Sequence, residues 1–225
     1  MKRTTILILF FITVFTVNDA HAQTALGIRV GGNASLIDGA VPIYTGGLRV
    51  TGVDPVLKAG FQFGLMLEHE FSHAFAMQTG AVFNVIGSRF DIRSIGDMTN
   101  TAAWNISYLQ MPLDLVVNLG WFSIHAGGYF GYALVANAQY DFRRQRMDLL
   151  DTIGGGGWNM QHIDFGVRGG IGLRFGNSQF AITYSFGLAN LFNPSDFQGI
   201  IQNHSTIEAT NHVISITATH FFRRD

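Results

Sequence analysis

His69-Glu70-Phe71-Ser72-His73 matches the H-E-x-x-H string, in which two histidines one helical turn apart hold zinc and the glutamate works on a metal-bound water. Asn203-His204-Ser205, with Glu208 close behind, offers a serine–imidazole pair of the kind used in acyl hydrolysis. Gly154-Gly155-Gly156-Gly157 is glycine-rich in the manner of a phosphate cradle. Arg143-Arg144-Gln145-Arg146, after Tyr140-Asp141-Phe142, is a compact basic patch suited to acidic glycolipid headgroups or to open solvent. Each of these needs an element to aim it. The zinc string falls between two alternating segments, where a short turn gives its histidines no helix to align them, and no third ligand stands out among the other histidines. The serine and histidine are adjacent within a loop that fixes no geometry. The glycine run lacks a Gly-Lys-Ser/Thr ending and a following helix. No catalytic, cofactor-binding or metal-ligating residue is assigned, no cofactor is implied, and the chain reads as a non-enzyme.

The elements themselves follow a period of two. Leu26-Gly27-Ile28-Arg29-Val30, Phe61 to Leu67, Phe75 to Val85 and Ile163 to Phe175 each place apolar side chains on every second residue. A strand has that period, so each segment carries one greasy face and one polar or glycine face. Eight segments are expected, at 25–35, 57–68, 74–86, 106–117, 121–135, 161–175, 179–191 and 211–222. Their connections alternate between long (36–56, 87–105, 136–160, 192–210) and short, centred on His69–His73, Asn118–Gly120 and Gly176–Asn177.

Composition narrows the setting. Of 225 residues, 48% are hydrophobic and only 13% charged, about half the usual quarter for a soluble domain. Mean hydropathy is +0.23. A formal charge of −1 lacks the basic face a nucleic-acid binder needs, so no nucleic-acid partner is expected. With no cysteine, disulfide scaffolds, thiolate metal sites and a cysteine-anchored lipoprotein are excluded. The one long apolar run, Ile6 to Val17, lies between Lys2-Arg3 and Ala20-His21-Ala22, which reads as a signal peptide over 1–22 cut before Gln23. Residues 23–225 then form one domain.

Within lipid, backbone polar groups must pair inside the protein, which leaves helices or closed sheets. With no later run of about 20 apolar residues, the expectation is all-β: an eight-stranded antiparallel up-and-down transmembrane β-barrel in a Gram-negative outer membrane, with the termini and short turns in the periplasm. Its lipid face carries Leu26, Ile28, Val30, Phe61, Phe63, Leu65, Leu109, Met111, Leu113, Leu115, Ile163, Phe165, Val167, Ile214 and Ile216. Trp104, Tyr108, Trp121, Phe122, Tyr184 and Phe222 are expected in the aromatic girdles. A barrel this narrow is filled by its own side chains. The polar lumen cluster is expected to be Arg29, Asp114, His125, Asp164, Arg168 and Arg174, with opposite charges paired and glycines making room. Asp114 and His125 are expected to be cross-strand neighbours about the Asn118–Gly120 turn, and the three arginines to face Asp114 and Asp164. Such a barrel should not conduct. Pro112 should mark a local bulge.

Several strings also resemble the PorT-like outer-membrane β-barrel family of Bacteroidetes. Gly27-Ile28-Arg29-Val30-Gly31-Gly32-Asn33-Ala34-Ser35 resembles its opening strand, and Tyr108-Leu109-Gln110-Met111-Pro112-Leu113 is similar to its Tyr-Leu-x-Ile-Pro-Leu strand. Gly127-Gly128-Tyr129-Phe130-Gly131-Tyr132 resembles its Gly-x-Tyr-x-Gly-Tyr strand. Asp164-Phe165-Gly166, Gly170-Ile171-Gly172 and Tyr184 to Leu191 look like its last central hairpin. Phe222 resembles the terminal aromatic read by the assembly machinery, although Arg223-Arg224-Asp225 follow it. The resemblance implies an outer-membrane barrel whose named relatives assist type IX secretion, with no catalytic residues to transfer. Three roles stay open. One is a structural or accessory part in secretion or surface assembly, with outer-membrane lipids and secretion proteins as partners. The others are a lipid A-modifying hydrolase at the His204–Ser205 rim loop and a loop-based adhesin or receptor.

Overall fold

The computed structural model describes residues 23–39, 43–45, 48–50, 54–93, 99–140, 145–150, 160–192 and 209–222. Eight long strands form the wall: β1 (Gln23–Gly39), β4 (Asp54–Glu70), β5 (Phe75–Arg93), β6 (Thr99–Leu119), β7 (Phe122–Tyr140), β9 (Ile163–Phe175), β10 (Ser178–Gly187) and β11 (Ala209–Phe222). Three short strands sit in the long connections: β2 (Ile43–Thr45) and β3 (Leu48–Val50) pair with each other, and β8 (Gln145–Asp148) extends β7. Every wall strand is antiparallel to both neighbours, and β6 pairs with both β5 and β7, so the sheet closes on itself. Closure leaves none of the eight wall strands as an edge, which is what an apolar solvent demands. The short turns gather at one end and the long connections at the other.

The stagger of the ring follows from the register. Stepping from partner to partner, Ser35 leads through Val213, Ser185, Arg168, Gly127, Asp114, Gln78 and Glu68 to Ala25. One circuit thus returns to β1 ten residues nearer the short-turn end. For eight strands that offset tilts the strands by roughly 40° to the barrel axis.

All fifteen residues expected on the lipid face point outward, from 44% exposed for Leu109 to 63% for Leu115 and Ile216. The alternate face is buried. Trp121, Tyr184 and Phe222 stand outside as girdle residues should, and Phe122 is half-buried. Trp104 and Tyr108 correct that expectation, because both are fully buried in the lumen. They share the inward phase of β6 with Ile106, Gln110 and Asp114, and a strand's alternation outranks nearness to its end.

The strands also run beyond their expected limits into connections read as loops. Residues 87–93 and 99–105 remain paired, since Ser88, Phe90, Ala102 and Trp104 keep the inward alternation despite the polar residues between them. By contrast, β10 stops at Gly187, and Leu188 to Phe192 leave the wall, with Leu191 and Phe192 buried. Pro112 makes no bulge. Its ladder to β5 is interrupted between Thr79–Leu113 and Val82–Gln110 with the register kept, while Pro112 stays opposite Tyr129. The register shifts lie elsewhere, between Leu57 and Gln62 and between Ser107 and Tyr108. The two tight turns are closed by Gly120 and Gly176, at φ 73° and 57°, a left-handed backbone that glycine adopts without strain.

Candidate functional site

The lumen is stratified. Nearest the short-turn end, Arg174 on β9 forks between two carboxylates of β4: it bonds Glu70 through Nη1 at 3.1 Å and Glu68 through both terminal nitrogens. Glu68 is fully buried and also accepts a hydrogen bond from Gln78 Nε2 at 2.8 Å. Gln78 donates to Gln179 Oε1 at 2.8 Å and accepts from Arg29 Nη2 at 3.2 Å. Gln179 in turn reaches His125 Nε2 at 2.9 Å and Ser123 Oγ at 3.2 Å. Arg29 completes the layer with a 3.0 Å bond from Nε to Thr219.

A second layer lies deeper. Arg168 Nε stands 3.2 Å from Asp114 Oδ1, with both side chains buried, and Arg168 Nη2 reaches Thr183 at 3.5 Å. Asp164 Oδ2 accepts from Asn211 at 2.9 Å and from the Tyr129 hydroxyl at 3.2 Å. Asn33, Asn84 and Gln110 form a parallel amide chain with 2.8 Å steps. Glycines give these groups their room. A Cβ on Gly127 would stand 2.0 Å from the Leu113 carbonyl oxygen and 2.9 Å from Asp114 Oδ1, and one on Gly166 would press on the Tyr129 ring at 2.8 Å.

Above the polar layers the long-loop end is apolar. Trp104 packs edge-on against Phe90 at 5.1 Å and Phe192 at 5.7 Å, within a buried cluster that includes Ile37, Ile86, Leu149 and Met160. The 188–192 segment is tied in by Gln161 N to Leu191 O at 2.8 Å and Leu191 N to Ala209 O at 2.9 Å. Asn190 Oδ1 caps it by accepting from the Phe192 and Ala209 amides at 3.2 and 3.1 Å.

All six lumen residues expected from the sequence thus lie inside, but their partners differ in part. Only Arg168 and Asp114 form the kind of pair foreseen. Asp114 is opposite Gly127 and His125 opposite Val116, because the turn is one residue later than expected, with Leu119 facing Phe122 across Gly120-Trp121. Arg174 faces Glu68 and Glu70 rather than an aspartate, and Asp164 is held by neutral donors. Glu68, Gln78, Gln179, Tyr129 and Asn211 complete the network. Continuing the alternation of Gln62, Gly64 and Met66 by one step would have placed Glu68 among them. The zinc string is dispersed, with His69 outward on Thr24 and Glu70 turned to Arg174, and no three metal-ligating side chains converge among the described residues. Residues 1–22, Arg143, Arg144, Gly154–Gly157, Asn203–Ser205 and Glu208 lie outside the described residues.

This architecture agrees with a family model, the outer membrane protein beta-barrel domain, that matches residues 20–193. The chain belongs to that family. It is therefore an outer-membrane β-barrel protein. Similar solved structures include Ail, the attachment invasion locus protein of Yersinia pestis (11% identity, 89% of this chain and 99% of that one, TM-score 0.41). Others are OprG of Pseudomonas aeruginosa (14%, 92% and 100%, TM-score 0.40) and outer membrane protein W of E. coli (12%, 91% and 100%, TM-score 0.40). No curated protein matches the chain. As an outer-membrane barrel, its arrangement of groups is suited to holding the lumen shut. A crossing ion would have to separate the Arg174 and Arg168 pairs and then enter the apolar cluster around Trp104, each costing several kcal/mol.

Proposed function

We propose that the protein is a non-enzymatic outer-membrane barrel with a structural or accessory role in protein secretion of the type IX kind or in surface assembly. A cleaved signal peptide over residues 1–22 belongs to this reading, as does membership of the PorT-like branch. The observation that carries it is the filled lumen: ion pairs, amide chains and the cluster around Trp104 occupy the space a channel or a buried catalytic cleft would need. The PorT-like strings in β1, β6 and β7 support the secretion part. The test is a secretome comparison between a clean deletion strain and its parent. Loss of large secreted cargo, restored by the intact gene, is the expected result. An unchanged secretome overturns the secretion role, and an altered lipid A acyl pattern in the deletion strain overturns the non-enzymatic one.

A further inference from the structure

Four histidines on the outer surface are built alike. His69 bonds Thr24 Oγ1 through Nδ1 at 2.8 Å and meets the Phe71 ring edge-on at 4.9 Å. His220 repeats this with Ser178 at 2.9 Å and Phe222 at 5.2 Å. His212 Nδ1 shares a hydrogen bond with the Tyr184 hydroxyl at 2.6 Å, and its ring meets Phe186 at 4.9 Å while Nε2 lies 3.9 Å from Asp38. His162 is 3.2 Å from the Ala133 carbonyl and stacks on Tyr132 at 5.3 Å. Each ring is thus tied through Nδ1 to the adjoining strand and laid against an aromatic neighbour, and His212 also meets Thr210 Oγ1 through Nε2 at 3.4 Å. An apolar body with a fixed polar edge suits the boundary between hydrocarbon and water.

Their heights fall into two levels. His69 and His220 are at the short-turn end, and His162 and His212 at the long-loop end. On β11 the outward residues from His212 to His220 are Ile214, Ile216 and Ala218. Eight residues at about 3.4 Å, tilted by roughly 40°, place the two histidines about 20 Å apart along the axis. That is close to the ≈ 25 Å apolar band of outer-membrane barrels. Among the described residues no Asp, Glu, Lys or Arg points outward between the two levels.

We propose that these histidines seat the barrel in its bilayer, with His162 and His212 against the lipid headgroups of one leaflet and His69 and His220 against those of the other. The inference rests on the membrane-spanning fold and is independent of the secretion reading, so the two fail separately. The chain has no cysteine, so single cysteines introduced as His212→Cys, Ile216→Cys and His220→Cys take a spin label cleanly. In phosphatidylcholine–phosphatidylglycerol vesicles, label depth is read from collisions with oxygen and with a water-soluble nickel chelate. The label at Ile216 is expected about 10 Å deeper than those at His212 and His220. A label at either histidine position as deep as the one at Ile216 overturns the proposal. Because those two variants remove the histidines they probe, a second one tests the side chains. His162→Leu/His212→Leu lengthens the apolar face, so its folded yield in long-chain relative to short-chain vesicles is expected to rise several-fold over the parent. An unchanged ratio in folded protein overturns the assignment.

Discussion

Replacing Arg168 with Met strips Asp114 of the cation 3.2 Å away while leaving the volume of the lumen nearly unchanged. The Asp114 side chain is 1% exposed, so solvent cannot take the cation's place. At an effective dielectric of about 20, a 3.2 Å pair is worth roughly 5 kcal/mol, and breaking one buried pair from one side typically costs about 3–5 kcal/mol. For a chain of this length each kcal/mol moves a thermal midpoint by about 2–4 °C, so Arg168→Met should lose on the order of 10 °C. The double variant Arg168→Met/Asp114→Leu removes both charges and should recover most of that loss, since an apolar pair of similar size is often neutral. The assay is heat-modifiability on a gel, reading the temperature at which half of the detergent-solubilised barrel loses its folded mobility. A single variant that shifts this midpoint by less than about 3 °C refutes the reasoning. So does a double variant whose loss equals the sum of the two singles, since independent sites add and coupled ones do not.

Trp104→Ala combined with Phe192→Ala removes two packed rings from the buried cluster at the long-loop end and should lower the heat-modifiability midpoint markedly. Planar-bilayer recordings of that variant should stay closed, because the Arg174 and Arg168 pairs still fill the lumen. Gly127→Val places a Cβ 2.0 Å from a backbone oxygen and should abolish the heat-modifiable form. Gly32→Ala, whose added carbon comes no closer than 3.9 Å to a neighbour, should leave it intact. Gly120→Ala forces a side chain onto a φ of 73° and should cost about 1 kcal/mol, read as a lower unfolding midpoint in denaturant. Ile216→Arg puts a charge midway along the lipid face and should cost about 2–4 kcal/mol in the folding equilibrium into vesicles. A cost below about 1 kcal/mol would place that residue at the interface.

The wall of this barrel is written in its sequence because lipid and lumen impose opposite demands on alternate residues. Leu109, Met111, Leu113 and Leu115 could only face hydrocarbon, and with them fixed Asp114 could only face inward. Tyr108 was settled by the same parity, yet its place near a segment end invited a girdle assignment. The partners inside were less legible. Asp114 and His125 depend on where the tight turn falls, and a turn at Gly120-Trp121 rather than centred on Asn118–Gly120 moves the partner of Asp114 two residues along, from His125 to Gly127. Arg174 chose Glu68 and Glu70 through the stagger of the whole ring, which no local window encodes. Leu188 to Phe192 alternate like a strand, but Leu191 and Phe192 bury instead against the cluster that holds Trp104 and Met160.

The ten-residue stagger carries a kinetic consequence. The path through Arg168, Asp114, Gln78 and Glu68 winds around the inner wall as a spiral, so its members come from four different strands, and Arg174 meets Glu68 across 106 residues of chain. Arg29 on the first strand is joined to Thr219 on the last, 190 residues away. A partly zipped sheet would leave Glu68 without Arg174 and Arg29 without Thr219 while its two edges sought partners. Seam closure between β1 and β11 and completion of the interior network therefore arrive together as one late, concerted event. A fold dominated by such distant pairings assembles slowly by itself, and anything that shepherds it into a membrane must hold both ends of the chain until that step is done.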